Sequence, residues 1–343
     1  MDRVDAGSLL ELAERAASEL RGPEGGAWKE RLEAEYERLT TALRWFVASG
    51  DGPEALRLAV ALFPFWTDTG RNPDGKRWLE AALSAPGAGE PTATRVQALY
   101  AAGVLAFREG DESRSRALNE EALLIAEQSG DRAGAARAHI GLARVAFRSE
   151  DHEALRAHAE ESLAIARELG DKRAIGGPLH MLAESARVQG HLQRARHLYD
   201  ECLAIDRQLA DERSVALELH NLAYVDRGQG DLGGAEARFR ESLTLAHHLQ
   251  DAGLIMYCAL GLGVVAGEQG DAQRAATLLG AVSAMLEASG EVLDPAESGE
   301  YERAVATARE RLSPSEFESA RDGGRGMPLT DVVSFALGDP PAA

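Results

Sequence analysis

The sequence predicts an all-α protein, a solenoid of stacked antiparallel helix hairpins. Three observations predict it. Turn-like pairs fall every 20 residues, at Gly110-Asp111, Gly130-Asp131, Gly170-Asp171, Gly230-Asp231 and Gly270-Asp271. Between these marks, apolar residues recur at three- and four-residue intervals over about 15 residues, the period of a helix with one buried face. No β-rich segment of useful length appears.

The marks continue in weaker form at Glu150-Asp151, Gly190-His191, Ala210-Asp211, Gln250-Asp251 and Gly290-Glu291, and backwards at Gly50-Asp51 and Gly70-Arg71. Glycine suits the left-handed residue that ends a helix, and aspartate then caps the next one. Each 20-residue unit is therefore one helix and a turn, and two units make a 40-residue hairpin.

The N-terminal region, 1–88, is expected to be helical and to lead into the array. It contains 70-GRNPDGKR-77, which has most of the G-x-x-x-x-G-K-[ST] phosphate-loop pattern. A phosphate loop needs a buried strand before it and Ser or Thr after its lysine to reach magnesium. Here the helical stretch 54-EALRLAVALFPFWTDT-69 precedes it and Arg77 follows Lys76. Both glycines are read as turn residues, and no nucleotide site or other cofactor is expected. Trp45, Trp66 and Trp78 are expected to fill this region's core. The stretch 84-SAPGAGEPTA-93 reads as a flexible joint.

Five hairpins follow over 89–290. Their first helices align without gaps: Leu99/Ala102/Gly103/Ala106, His139/Leu142/Ala143/Ala146, Leu179/Leu182/Ala183/Ala186, Leu219/Leu222/Ala223 and Ala259/Leu262/Gly263/Ala266. Their second helices carry 122-ALLIA-126, 162-SLAIA-166, 202-CLAID-206 and 242-SLTLA-246. The residue at 103, 143, 183, 223 and 263 is always Gly or Ala, which marks the close approach of the two helices of a hairpin. Stacking such units gives a right-handed superhelix by analogy with known repeats. Residues 291–343 are expected to supply capping helices and a tail that folds back on its own array or into a neighbour's groove, with 338–343 disordered.

The pattern resembles the tetratricopeptide repeat (TPR). The fourth hairpin fits best, with Leu219, Leu222, Ala223, Gly230-Asp231, Ala235, Phe239 and Ser242; the third follows with Ala195, Tyr199 and Cys202. The second departs from it, with Leu155 and Ala159 at the small and aromatic positions. That family's repeat is about 34 residues, and 40 is the longer variety found in bacterial signalling regulators. The flanks, 31–83 and 276–337, resemble those of the C-terminal TPR sensor half of actinobacterial signal-transducing ATPase and transcriptional regulators. The resemblance implies partner or ligand binding rather than catalysis.

Charge and composition exclude several classes. The net charge is −19, with a pI near 5.0, which disfavours direct contact with nucleic acid or an anionic membrane. No stretch of 18 uninterrupted apolar residues occurs, and the N-terminus lacks a signal-peptide pattern, so a cytoplasmic protein is expected. Cys202 and Cys258 form no CxxC pair, so neither a disulfide framework nor a thiolate zinc site is expected. The glutamates of the second helices read as a solvated face. His247 and His248 diverge by about 100° on a helix and chelate poorly. His180 and His220 hold the same position in successive hairpins, and a polar groove lining explains them better than a shared metal. There is no G-x-S-x-G elbow or H-E-x-x-H motif, and no metal or catalytic residue is assigned.

In the resembling family the first helices line the concave face. Transferring its inward positions gives a candidate binding groove of Arg137, Arg144, Arg148, His180, Glu184, Arg187, His220, Asn221, Tyr224 and Arg227. Arginine forks grip carboxylates bidentately and an asparagine can hold a peptide amide. The expected function is a non-enzymatic protein- or peptide-binding module, a sensor or adaptor. Two alternatives are a ligand-sensing domain of a transcription-related regulator without its NTPase and DNA-binding parts, and an accessory protein binding a small anion. The sequence also leaves room for a homo-oligomer.

Overall fold

The computed structural model describes every residue except 1, 21, 23, 294 and 339–343. Among the described residues there are eighteen α-helices and no strand. They group into two compact units. One runs to Ser185 and takes in Gln208–Ala210; the other comprises Ala186–Arg207 and the chain from Asp211 onward.

The 20-residue marks govern both units. The chain takes left-handed φ at Gly50, Gly70, Gly110, Gly130, Gly170, Gly190, Gly230, Gly270 and Gly290, and also at the non-glycine marks Glu150, Ala210 and Gln250. The aspartate after the mark caps the next helix. Asp111, Asp131, Asp151, Asp211, Asp231, Asp251 and Asp271 each accept the backbone N–H three residues on. A helix leaves its first N–H groups without intrahelical partners, and this side chain satisfies one of them.

The first unit begins with α1 (Arg3–Glu19), α2 (Gly25–Ala34), α3 (Tyr36–Ser49), α4 (Gly52–Asp68) and α5 (Asn72–Leu83). Trp66 and Trp78 lie in its core, with Trp45 packed against it. Trp66 Nε1 donates to Tyr36 Oη at 3.1 Å, and that hydroxyl donates to Asp74 at 2.9 Å. Lys29 and Asp68 form an ion pair at 3.3 Å with both side chains almost fully buried.

The phosphate-loop likeness separates here into two unrelated structural needs. Helix α4 precedes Gly70, which ends it with φ +71°. Gly75 is no turn residue: it lies inside α5, where a Cβ would come within 2.9 Å of Trp66 and 3.0 Å of Leu105. Lys76 is engaged by Glu109. The segment read as a flexible joint is tied down. Gly52 N–H donates to the Pro86 carbonyl at 3.2 Å, Arg95 donates to the Ala88 carbonyl at 3.0 Å, and Ala85 and Ala88 are buried.

The unit continues through α6 (Ala93–Arg108), α7 (Glu112–Ser129), α8 (Arg132–Arg148), α9 (His152–Leu169) and the greater part of α10 (Lys172–Val188). Successive helices α6 to α9 pack pairwise. The small residue at 103 does what its position predicts: a Cβ on Gly103 would lie 2.5 Å from Asn119 Nδ2 on α7.

The second unit holds α11 (Leu192–Gln208), α12 (Glu212–Gly228), α13 (Leu232–His248), α14 (Ala252–Gln269), α15 (Ala272–Ser289), α16 (Pro295–Arg311), α17 (Pro314–Arg325) and α18 (Leu329–Leu337). By length and composition α14 would span a bilayer, yet 72% of it is buried within the protein, so burial in protein accounts for its apolar sequence. The tail folds back on its own array. Val332, Val333 and Ala336 of α18 are buried, and Arg240 and Arg274 donate to the Leu337 and Ala336 carbonyls at 2.9 Å. These two arginines satisfy carbonyls that a helix C-terminus leaves open. Of the stretch expected to be disordered, Gly338 ends α18 with φ +74° and 339–343 lie outside the described residues.

Candidate functional site

In the first unit, the groove positions fall on α6, α8 and α10. Arg144 on α8 is half-buried. Its Nη1 donates to Tyr100 Oη on α6 at 2.8 Å, and its guanidinium lies 5.9 Å from the centre of that ring. Among the described residues it meets no carboxylate. Arg137 lies two turns earlier on α8 and is exposed, again without a carboxylate partner among the described residues. Seven residues on a helix amount to about 700°, so both arginines point the same way, roughly 10 Å apart along the axis. Arg148 is buried, with its guanidinium 3.7 Å over the Phe107 ring and donating to the Phe107 carbonyl. His180 is half-buried and Glu184 is buried, both on α10.

In the second unit, the groove positions are mostly consumed by packing. Arg187 lies 5.0 Å over the Tyr224 ring. His220, Asn221 and Tyr224 are buried. The His220 ring meets Tyr224, Phe239 and Tyr257 edge-on, at 5.1, 5.3 and 6.3 Å between centroids. Its Nδ1 is 3.9 Å from Cys258 Sγ. That pairing has the group types of thiol chemistry, but burial pushes the Cys258 thiol up to about 12. A thiol without an accessible thiolate is no nucleophile. Arg227 on α12 is neutralised twice, by Glu268 on α14 at 2.9 Å and by Glu300 on α16 at 2.8 Å.

Two features escaped the sequence reading. His139 and His158 bring their Nδ1 atoms to 3.0 Å of one another across α8 and α9. A signal existed: Leu99, Leu179 and Leu219 hold the slot of His139, and Leu118 and Leu198 that of His158. The other is α16, whose Glu300 reaches Arg227 from 73 residues away. Nothing periodic announces that contact.

No protein-family model matches the chain, and no curated protein does. Solved structures do. A Rap protein complexed with competence and sporulation factor superposes with a TM-score of 0.60 at 14% identity, over 92% of this chain and 89% of that one. This chain folds as a tetratricopeptide-like helical-repeat solenoid. Weaker likenesses are to BtubC from P. vanneervenii (TM-score 0.45, 21% identity, 74% of this chain and 95% of that) and to a putative kinesin light chain from Podosopora anserina with nearly identical TPR-like repeats (0.40, 16%, 57% and 96%).

Proposed function

We propose that this repeat protein is a non-enzymatic binding module, a sensor or adaptor, which holds an acidic protein or peptide segment on the first helices of its amino-terminal unit. One observation carries the reading. Arg144 is fixed by a neutral phenol and left with its charge uncompensated, with Arg137 exposed two turns away on the same face. In a chain of net charge −19, two cations without carboxylate partners on one helix face form a local positive patch, to which an acidic ligand with bidentate carboxylates is drawn. A carboxylate approaching Arg144 meets a donor already oriented by Tyr100, so little side-chain entropy is lost on binding. A Rap protein of the same fold, solved in complex with competence and sporulation factor, agrees with a binding role.

The test is fluorescence anisotropy of labelled glutamate-rich helical peptides against the full chain and its Arg137→Gln/Arg144→Gln variant. Arg227 is left intact, because its charge is already taken by carboxylates. Salt-dependent binding that falls about tenfold or more in the variant is expected, tenfold being about 1.4 kcal/mol. Equal affinity of the two proteins rejects this face as the binding site.

A further inference from the structure

The second unit contains a cavity of about 400 Å³ between α14 and α16, within the size range of small-molecule sites. Its lining includes the small or apolar residues Val264, Gly267 and Ala304. Its walls carry charge. Arg303, Thr307 and Arg311 line it from α16, at i, i+4 and i+8, the spacing that aligns side chains along one face of a helix. Arg311 donates only to the Gly267 carbonyl, at 3.0 Å. Among the described residues neither Arg303 nor Arg311 meets a carboxylate. The carboxylates present, Glu268 and Glu300, are both turned onto Arg227.

Glu300 adds an independent observation. Its Oε1 accepts from Arg227, whereas its Oε2 is buried and has no hydrogen-bond partner. A buried carboxylate oxygen without a donor is costly, and a donor brought by a ligand removes that cost. The cavity thus offers two guanidinium charges and a hydroxyl from α16, and Glu300, which also lines it, carries an unsatisfied carboxylate oxygen just beneath its surface.

We infer that this cavity binds a small organic anion that also carries a hydroxyl or amino donor. The anionic group, a carboxylate or a phosphate monoester, lies between Arg303 and Arg311, with Thr307 donating to it. A small turn of the Glu300 carboxylate brings its buried Oε2 to the ligand's donor. The site is separate from the Arg137–Arg144 face and does not depend on it. Because Glu300 also holds α16 to Arg227, an occupant would tighten the seating of α16.

The experiment is isothermal titration calorimetry on the full chain with L-malate, glycerol 3-phosphate and succinate, with circular dichroism to verify folding of each variant. Malate and succinate share their two carboxylates and differ by one hydroxyl, so they isolate the donor; malate and glycerol 3-phosphate separate carboxylate from phosphate. Saturable binding of malate or glycerol 3-phosphate is expected. It should weaken about tenfold or more in Arg303→Gln/Arg311→Gln, in keeping with loss of charge-assisted hydrogen bonds. Both residues are exposed on α16, and the circular dichroism control covers the loss of the Arg311–Gly267 hydrogen bond. Glu300→Gln should erase any preference for malate over succinate. Absence of saturable binding at millimolar concentration, or undiminished binding by the double arginine variant, overturns the inference. Neither result bears on the peptide face.

Discussion

His139 and His158 face each other, Nδ1 to Nδ1, at 3.0 Å between the two helices of one hairpin. At that distance one nitrogen donates and the other accepts, so the pair cannot carry a proton on both facing nitrogens. Burial lowers both below the ordinary histidine value of 6.5, and the neighbouring charges of Glu161 and Glu127 on His139 only partly oppose it. The folded state therefore binds fewer protons than the unfolded chain once pH drops through 6.5. Stability is expected to be full above that pH and to decline below it, until both imidazoles are charged. His139→Leu/His158→Leu installs the residue that most other hairpins carry at these places and should flatten this decline in urea titrations between pH 7.5 and 5.5. An unchanged slope would show that the acid sensitivity lies elsewhere.

The helix stops at Glu150, Ala210 and Gln250 hold left-handed φ of 57°, 50° and 53° without being glycine. Each stores roughly 1 kcal/mol of backbone strain, because Cβ crowds the carbonyl there. Replacing each with glycine should raise stability by up to about that amount. The readout is the urea midpoint. A fall in the midpoint would mean that the side chains contribute more than the strain costs.

Two aspartate caps that look alike in sequence should differ in their weight. Asp111 is exposed and accepts its hydrogen bonds only within the first turn of α7, from the Arg114 N–H and the Ser113 hydroxyl, so Asp111→Ala is expected to cost about 1 kcal/mol. Asp251 caps α14 with no solvent exposure and also bridges Arg213 at 2.6 Å. Asp251→Ala should cost about 3 kcal/mol or more, the range for removing one partner of a buried pair. Comparable losses for the two, measured by thermal denaturation, would refute the ranking.

Lys29 and Asp68 are nearly inaccessible to water and bridge α2 to the end of α4. Lys29→Met keeps the stem but leaves a buried carboxylate, and should destabilise by about 3–5 kcal/mol. The double replacement Lys29→Met/Asp68→Leu should recover much of that loss. If the single and double variants prove equally unstable, shape rather than charge pairing dominates at this site.

Close packing sets another limit. A Cβ on Gly324 of α17 would fall 1.8 Å from the Thr277 carbonyl oxygen of α15, and one on Gly280 would fall 2.1 Å from the Arg321 carbonyl. Gly324→Ala forces two backbones apart, so a loss of about 1–3 kcal/mol or more is expected. Gly323→Ala, one residue earlier and with nothing near its Cβ, is the control and should be neutral or stabilising.

The sequence by itself determined the repeat register, the positions where helices stop, and the aspartates that start them. These are local matters. A left-handed residue and a cap are decided within about five residues of chain, so Gly110-Asp111 and even Gln250-Asp251 were legible from composition and spacing alone. Gly103 was legible as well, since a glycine or alanine recurs at its place in every hairpin. What only the tertiary structure decided is which side chains are neutralised, buried or left over. Gly75 reads like part of a phosphate loop until Trp66 and Leu105 are seen against it. Tyr224 holds the place of Arg144 two hairpins later, with His220 and Asn221 at neighbouring groove positions, yet all three are buried in packing while Arg144 keeps its charge. Arg227 is neutralised by Glu300, whose helix departs from the repeat. Pairings of that kind span tens of residues and depend on burial and orientation, quantities that a one-dimensional period does not encode.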